Sequence, residues 1–156
     1  MAESGNYSNF SDRWNLDVGA SESPISSLTV TITTGTKSGA GTDDDIYFGL
    51  TLKSGATKKW LLDKAGYNDF ENGDQDEYYL YINDKKFIPS NIERVWIEKK
   101  HTDYSMGEAW YLSKIKIDVN GNNAFSKSID KWLKGNDSVS YNVDWSNITN
   151  TSDPII

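Results

Sequence analysis

From Leu28 onward apolar and polar residues alternate in period two, and no stretch carries the three-to-four spacing of a long amphipathic helix. Leu28, Val30 and Ile32 alternate with threonines, and Ile46, Phe48, Leu50 and Leu52 alternate with Tyr47, Gly49 and Thr51. Successive side chains of a strand leave opposite faces, so each run offers one face to a core and one to water. Further strands are expected at 58–62, 78–83, 94–98, 111–119 and 124–127, with a last one carrying Tyr141, Val143 and Trp145. In 94–98, Val95 and Ile97 share one face and Trp96 takes the other. Residues 128–133 suit either a helical turn or a strand. Asn120-Gly121 predicts a type I′ hairpin turn. About eight short strands between turn signals specify an all-β fold, an eight-stranded antiparallel β-sandwich.

At 156 residues the chain fits one domain: a polar lead-in over 1–26, the sandwich over 27–146 and a tail over 147–156. With no cysteine, disulfides and thiolate metal sites are ruled out. A formal net charge of −7 opposes nucleic-acid phosphates, and equally anionic lipid unless cations lie between. Nucleic acid is therefore not an expected partner. The only histidine, His101, reads as a solvated loop residue, too few for a catalytic zinc site. There is no G-x-S-x-G elbow and no evident pair of carboxylates for glycoside cleavage, so no catalytic role is expected. Residues 1–12 are polar and lack the apolar core of a leader, which places any export signal upstream. Six Trp and nine Tyr suit a sandwich core, a membrane-interface belt or a carbohydrate face; the last needs exposed Trp in a row.

Two acidic loops carry the chemistry. Gly39-Ala40-Gly41-Thr42-Asp43-Asp44-Asp45 sets three consecutive carboxylates at the entry to a strand, tolerable on a solvated loop or around a hard cation. Asp63-Lys64-Ala65-Gly66-Tyr67-Asn68-Asp69, followed by Glu71, Asp74 and Asp76, has the same ingredients. Calcium takes about six to eight oxygens from carboxylates, carbonyls and water. Composition alone favours a solvated acidic face. In a sandwich, however, both loops can fall at one end and let their oxygens converge.

The run from Ala40 through Thr42-Asp43-Asp44-Asp45 to Gly49, the segment Asn68-Asp69-Phe70-Glu71-Asn72-Gly73-Asp74-Gln75-Asp76, and Ile92-Glu93-Arg94-Val95-Trp96-Ile97-Glu98-Lys99-Lys100 resemble, in this order, the signature segments of PLAT (lipoxygenase-homology) domains. Ile129-Asp130-Lys131-Trp132-Leu133-Lys134-Gly135-Asn136 is similar to the end of such a domain. The resemblance implies a non-catalytic module that binds phospholipid membrane surfaces through calcium, secreted, extracellular and peripheral on membranes, with an upstream catalytic or other domain as a partner. It implies one calcium site on Thr42, Asp43, Asn68 and Asp69. A second matches at Gly41 and Ala109 and, conservatively, at Glu108, but Gly39 stands where the family pattern has Asp. A third matches at Asp63, Gly66 and Asp69, but Lys64 replaces an oxygen-bearing Asn. In the 101–109 loop, Tyr104 and Met106, with Trp110 at the base, occupy the places of membrane-facing aromatics. Docking to a partner protein and carbohydrate binding are the alternatives the same scaffold leaves open.

Overall fold

The computed structural model describes residues 23–63, 68–102 and 109–148. Among them are eight strands: β1 (Ser27–Thr34), β2 (Asp45–Leu52), β3 (Thr57–Leu61), β4 (Gln75–Tyr81), β5 (Ile92–Lys100), β6 (Trp110–Val119), β7 (Asn122–Leu133) and β8 (Ser138–Asn142). They form two four-stranded sheets, ordered β4-β1-β6-β7 and β3-β2-β5-β8, with every pairing antiparallel. The expected sandwich is thus present. Its core is built by the phases read from sequence: Leu28, Val30 and Ile32 of β1 and Ile46, Phe48 and Leu50 of β2 are fully buried. Val95 and Ile97 of β5 and Ile115, Ile117 and Val119 of β6 are buried to within a per cent.

Asn120 and Gly121 both take positive φ, 49° and 87°, as a type I′ turn requires. Asn120 also acts as a clamp. Its Oδ1 accepts the backbone N–H groups of Ser26 at 2.8 Å and Ser27 at 3.1 Å, and its Nδ2 donates to the carbonyl of Pro24 at 3.1 Å. Ile25, at the end of the expected lead-in, is buried, and its N–H donates to the Phe87 carbonyl at 2.7 Å. Packing therefore begins before residue 27.

Three local expectations change. Residues 128–133 belong to β7, an edge strand whose only fully buried side chain is Leu133. The last strand ends at Asn142, so Val143 and Trp145 lie beyond it, although Trp145 is still buried. Finally, β6 shifts register against β7 between Leu112 and Lys114. That bulge moves the inward phase from Ile115 to Leu112 and Trp110 instead of to Tyr111.

Gly49 sits in β2 opposite Trp96 of β5. A Cβ at position 49 would overlap the six-membered ring of Trp96, so the ring occupies the space where a side chain is missing. Its Nε1 donates to Thr51 Oγ1 at 3.1 Å, which fixes the ring in its plane. Gly49→Ala is expected to lower stability by about 1–3 kcal/mol through overpacking, read as a lower urea midpoint at unchanged m-value.

Candidate metal centre

The two acidic loops meet at one end of the sandwich, and backbone contacts lock them together. Thr42 N–H donates to the Phe70 carbonyl at 3.1 Å. A Cβ on Gly41 would meet the Phe70 carbonyl oxygen at 3.0 Å and the Asn72 nitrogen at 3.1 Å, so any larger residue would push the two loops apart by a few tenths of an ångström. Asn72 Nδ2 donates across to the Lys37 carbonyl at 2.8 Å. Phe70 itself has φ 62°, a left-handed conformation a large side chain rarely adopts. Its N–H is held by Asp76 Oδ2 at 3.0 Å and its ring packs edge-on to Trp110, 5.4 Å between centroids.

Between the loops lies a cleft of about 180 Å³ walled by Thr42, Asp43, Asp45, Asp63, Asn68 and Asp69. A shallower hollow on the other side of Asp43 is lined by Gly41, Glu71 and Asn72. Among the described residues, no lysine or arginine lines either space. Burial first, then Asp43, Asp74 and Asp76, pushes the Glu71 carboxyl above its ordinary value, which marks an end of the molecule with surplus negative charge. Asp76 is fully buried, and its Oδ1 has no hydrogen-bond partner among the described residues. The oxygen-only donor set that lines the cleft fits a hard cation such as calcium. Among the described residues, no three His, Cys, Asp or Glu side chains are placed to hold a metal by themselves. The candidate set is of a different kind, two carboxylates with a hydroxyl and an amide.

The three consecutive carboxylates divide their tasks. Asp43 is exposed and Asp45 half-buried, but Asp44 is buried. Asp44 Oδ2 forms an ion pair with Lys99, whose side chain is wholly buried and also donates to the Gly135 carbonyl at 3.0 Å. Asp44 Oδ1 accepts Thr102 N–H at 3.3 Å and lies 3.5 Å from His101 Nδ1. Asp44 N–H returns to Thr42 Oγ1 at 3.0 Å. The loop is thus fastened to the end of β5 and to the turn before β8. His101 is exposed, as expected of a solvated loop residue, but its Nδ1 also faces Asp44.

Thr42, Asp43, Asn68 and Asp69 are brought to one cleft, and Asp63 joins them. Gly41 and the half-buried Ala109 flank the neighbouring hollow and the start of β6. Gly66, Glu108, Tyr104 and Met106 lie outside the described residues. Trp110 is a correction: it is fully buried and its Nε1 donates to Thr34 Oγ1 at 2.9 Å, so it is not a membrane contact. The β6 bulge turned its side chain inward. Asp44, Lys99 and Asp76 were missed, and Lys99 alone carried a sequence signal, since it continues the inward phase of Val95 and Ile97.

The PLAT/LH2 domain profile matches residues 28–143. The chain belongs to this family. A phospholipase C of Clostridium perfringens is 39% identical over 120 residues, 76% of this chain and 29% of that protein. A phospholipase C of Clostridium novyi is 38% identical over 113 residues, 72% and 28% of the two chains. The PLAT domain described here corresponds to the C-terminal domain of these clostridial proteins. Among solved structures, the alpha toxin of Clostridium absonum superposes with a TM-score of 0.69 at 29% identity, over 78% of this chain and 32% of that one. The chain thus spans less than a third of these relatives' length.

Proposed function

We infer that this PLAT domain is a non-catalytic module that binds phospholipid membranes in a calcium-dependent manner, as part of a secreted bacterial protein that acts on lipid. The observation that carries this reading is the cleft in which Thr42, Asp43, Asn68 and Asp69 converge, with no lysine or arginine among the described residues that line it. Kinship with proteins named phospholipase C supports the lipid partner and an upstream catalytic domain. Thr42, Asp43, Asn68 and Asp69 would hold the ion, with Asp63 at the margin. Four side chains fall short of the six to eight oxygens calcium takes, which leaves room for a headgroup phosphate. Bound there, calcium supplies the positive charge that a chain of net charge −7 needs at a phosphate surface.

Sedimentation with phosphatidylcholine vesicles tests this in calcium, magnesium and chelator. Binding is expected in calcium alone. Asp43→Asn removes one charged ligand and is expected to weaken it by about tenfold to a hundredfold. Calcium at a hundred times its dissociation constant should also raise stability by about 2.7 kcal/mol. Sedimentation that persists in chelator, or an Asp43→Asn variant that binds like the parent, would sink the reading.

A further inference from the structure

The outer face of the β3-β2-β5-β8 sheet carries a groove of about 620 Å³, within the usual range for a small-ligand site. Its floor is Trp96. The indole packs against Gly49, its N–H is tied to Thr51, and the side chain lines the groove. The ring is therefore a fixed aromatic platform whose ordering entropy was met on folding.

Hydrogen-bonding and charged side chains surround it: Thr57, Lys58 and Lys59 of β3, Arg94 and Glu98 of β5, Ser138 and Ser140 of β8. Their charges are not balanced. Glu98 is taken by Lys59 at 3.3 Å. Arg94 donates from Nη1 to Ser140 Oγ at 3.2 Å and has no carboxylate partner among the described residues. Arg94 thus presents a guanidinium beside an aromatic ring, and Lys58 of β3 lines the same groove, so the groove carries net positive charge. A guanidinium matches a carboxylate in bidentate geometry, and an indole face matches the C–H face of a pyranose.

We propose that this groove binds a carboxylate-bearing sugar ring, stacked on Trp96, with its acid group on Arg94 and its hydroxyls on Ser138, Ser140 and Thr57. The site is independent of the calcium cleft and requires no metal.

The test is a titration of the isotope-labelled full chain, in chelator, with 3′-sialyllactose, lactose or sodium sulfate, following the Trp96 indole N–H. Sialyllactose is expected to shift that resonance and to bind about tenfold more tightly than lactose, the effect of one charge-assisted contact. Arg94→Gln, which leaves Gly49, Thr51 and Trp96 themselves unchanged, should reduce sialyllactose to the level of lactose without altering the melting temperature. Three results overturn the proposal: neither sugar moves the indole; sulfate moves it as sialyllactose does, which reveals a simple anion site only; or Arg94→Gln binds sialyllactose like the parent. Two further arms, also in chelator, identify the sugar's source. Retention on an immobilised sialylated glycoprotein supports a protein glycan, and flotation with ganglioside-bearing phosphatidylcholine vesicles supports a glycolipid headgroup. Because calcium is absent throughout, failure here leaves the calcium-dependent reading untouched, and the converse also holds.

Discussion

Replacing Lys99 by methionine is expected to cost about 3–5 kcal/mol, the penalty for leaving a buried charge without its partner. For a domain of this size that is a fall of roughly 10–20 °C in melting temperature. Methionine keeps most of the volume of the lysine stem, so a cavity contributes little. What remains is Asp44, fully buried, with Thr102 N–H and the exposed His101 among its neighbours. The paired variant Lys99→Met with Asp44→Leu removes both charges and should recover most of the loss, since apolar replacement of a buried ion pair is often neutral or better. Thermal unfolding of the parent, the single and the double variant checks this. A single variant as stable as the parent would show that Asp44 and Lys99 are not coupled in the interior.

The second large effect lies at Trp110. Trp110→Ala is expected to cost about 3–5 kcal/mol, as for large aromatic truncations in a core. The side chain is fully buried, bonds Thr34 Oγ1 at 2.9 Å and supports the ring of Phe70. Phe70 follows Asp69, so the cavity undermines the wall of the proposed calcium cleft as well. Calcium affinity should fall along with stability. Trp110→Phe retains the ring contact, loses the hydrogen bond, and should cost about 1–3 kcal/mol. Denaturant unfolding together with calcium titration separates the two effects. A Trp110→Ala variant that unfolds like the parent yet fails on vesicles would reinstate the side chain as a membrane contact.

Trp110 also shows where sequence stops being informative. Period two extrapolated from Val119, Ile117 and Ile115 predicts Tyr111 inward, and no residue between announces the bulge that reverses this. A register irregularity is decided by pairing with β7 and β1, not by local preference. In β7 the difficulty is different. An edge strand with a single fully buried side chain has almost no apolar period to read, so 128–133 is ambiguous without its partner strand. Where both phase and turn chemistry act locally, as in β1, β2 and the Asn120-Gly121 turn, they were legible. The acidic loops announced their composition but not the burial of Asp44, because its partner lies 55 residues away. That partner, a lysine in the inward phase of β5, was the available clue: a charge in a core position demands an opposite charge.

The sheet order has a kinetic meaning. β1 has no neighbour in sequence as a partner: its two sides are taken by β4 and β6. During synthesis the first strand leaves the ribosome with both edges open, and it cannot be flanked until most of the chain has followed. Pairings of such long range close large loops before any contact repays the entropy, so folding belongs to the slow, milliseconds-to-seconds class of β-sandwiches. In that interval an alternating Val-Ile-Thr strand is a template for another chain. Aggregation on refolding is thus expected to depend on β1 more than on any other strand.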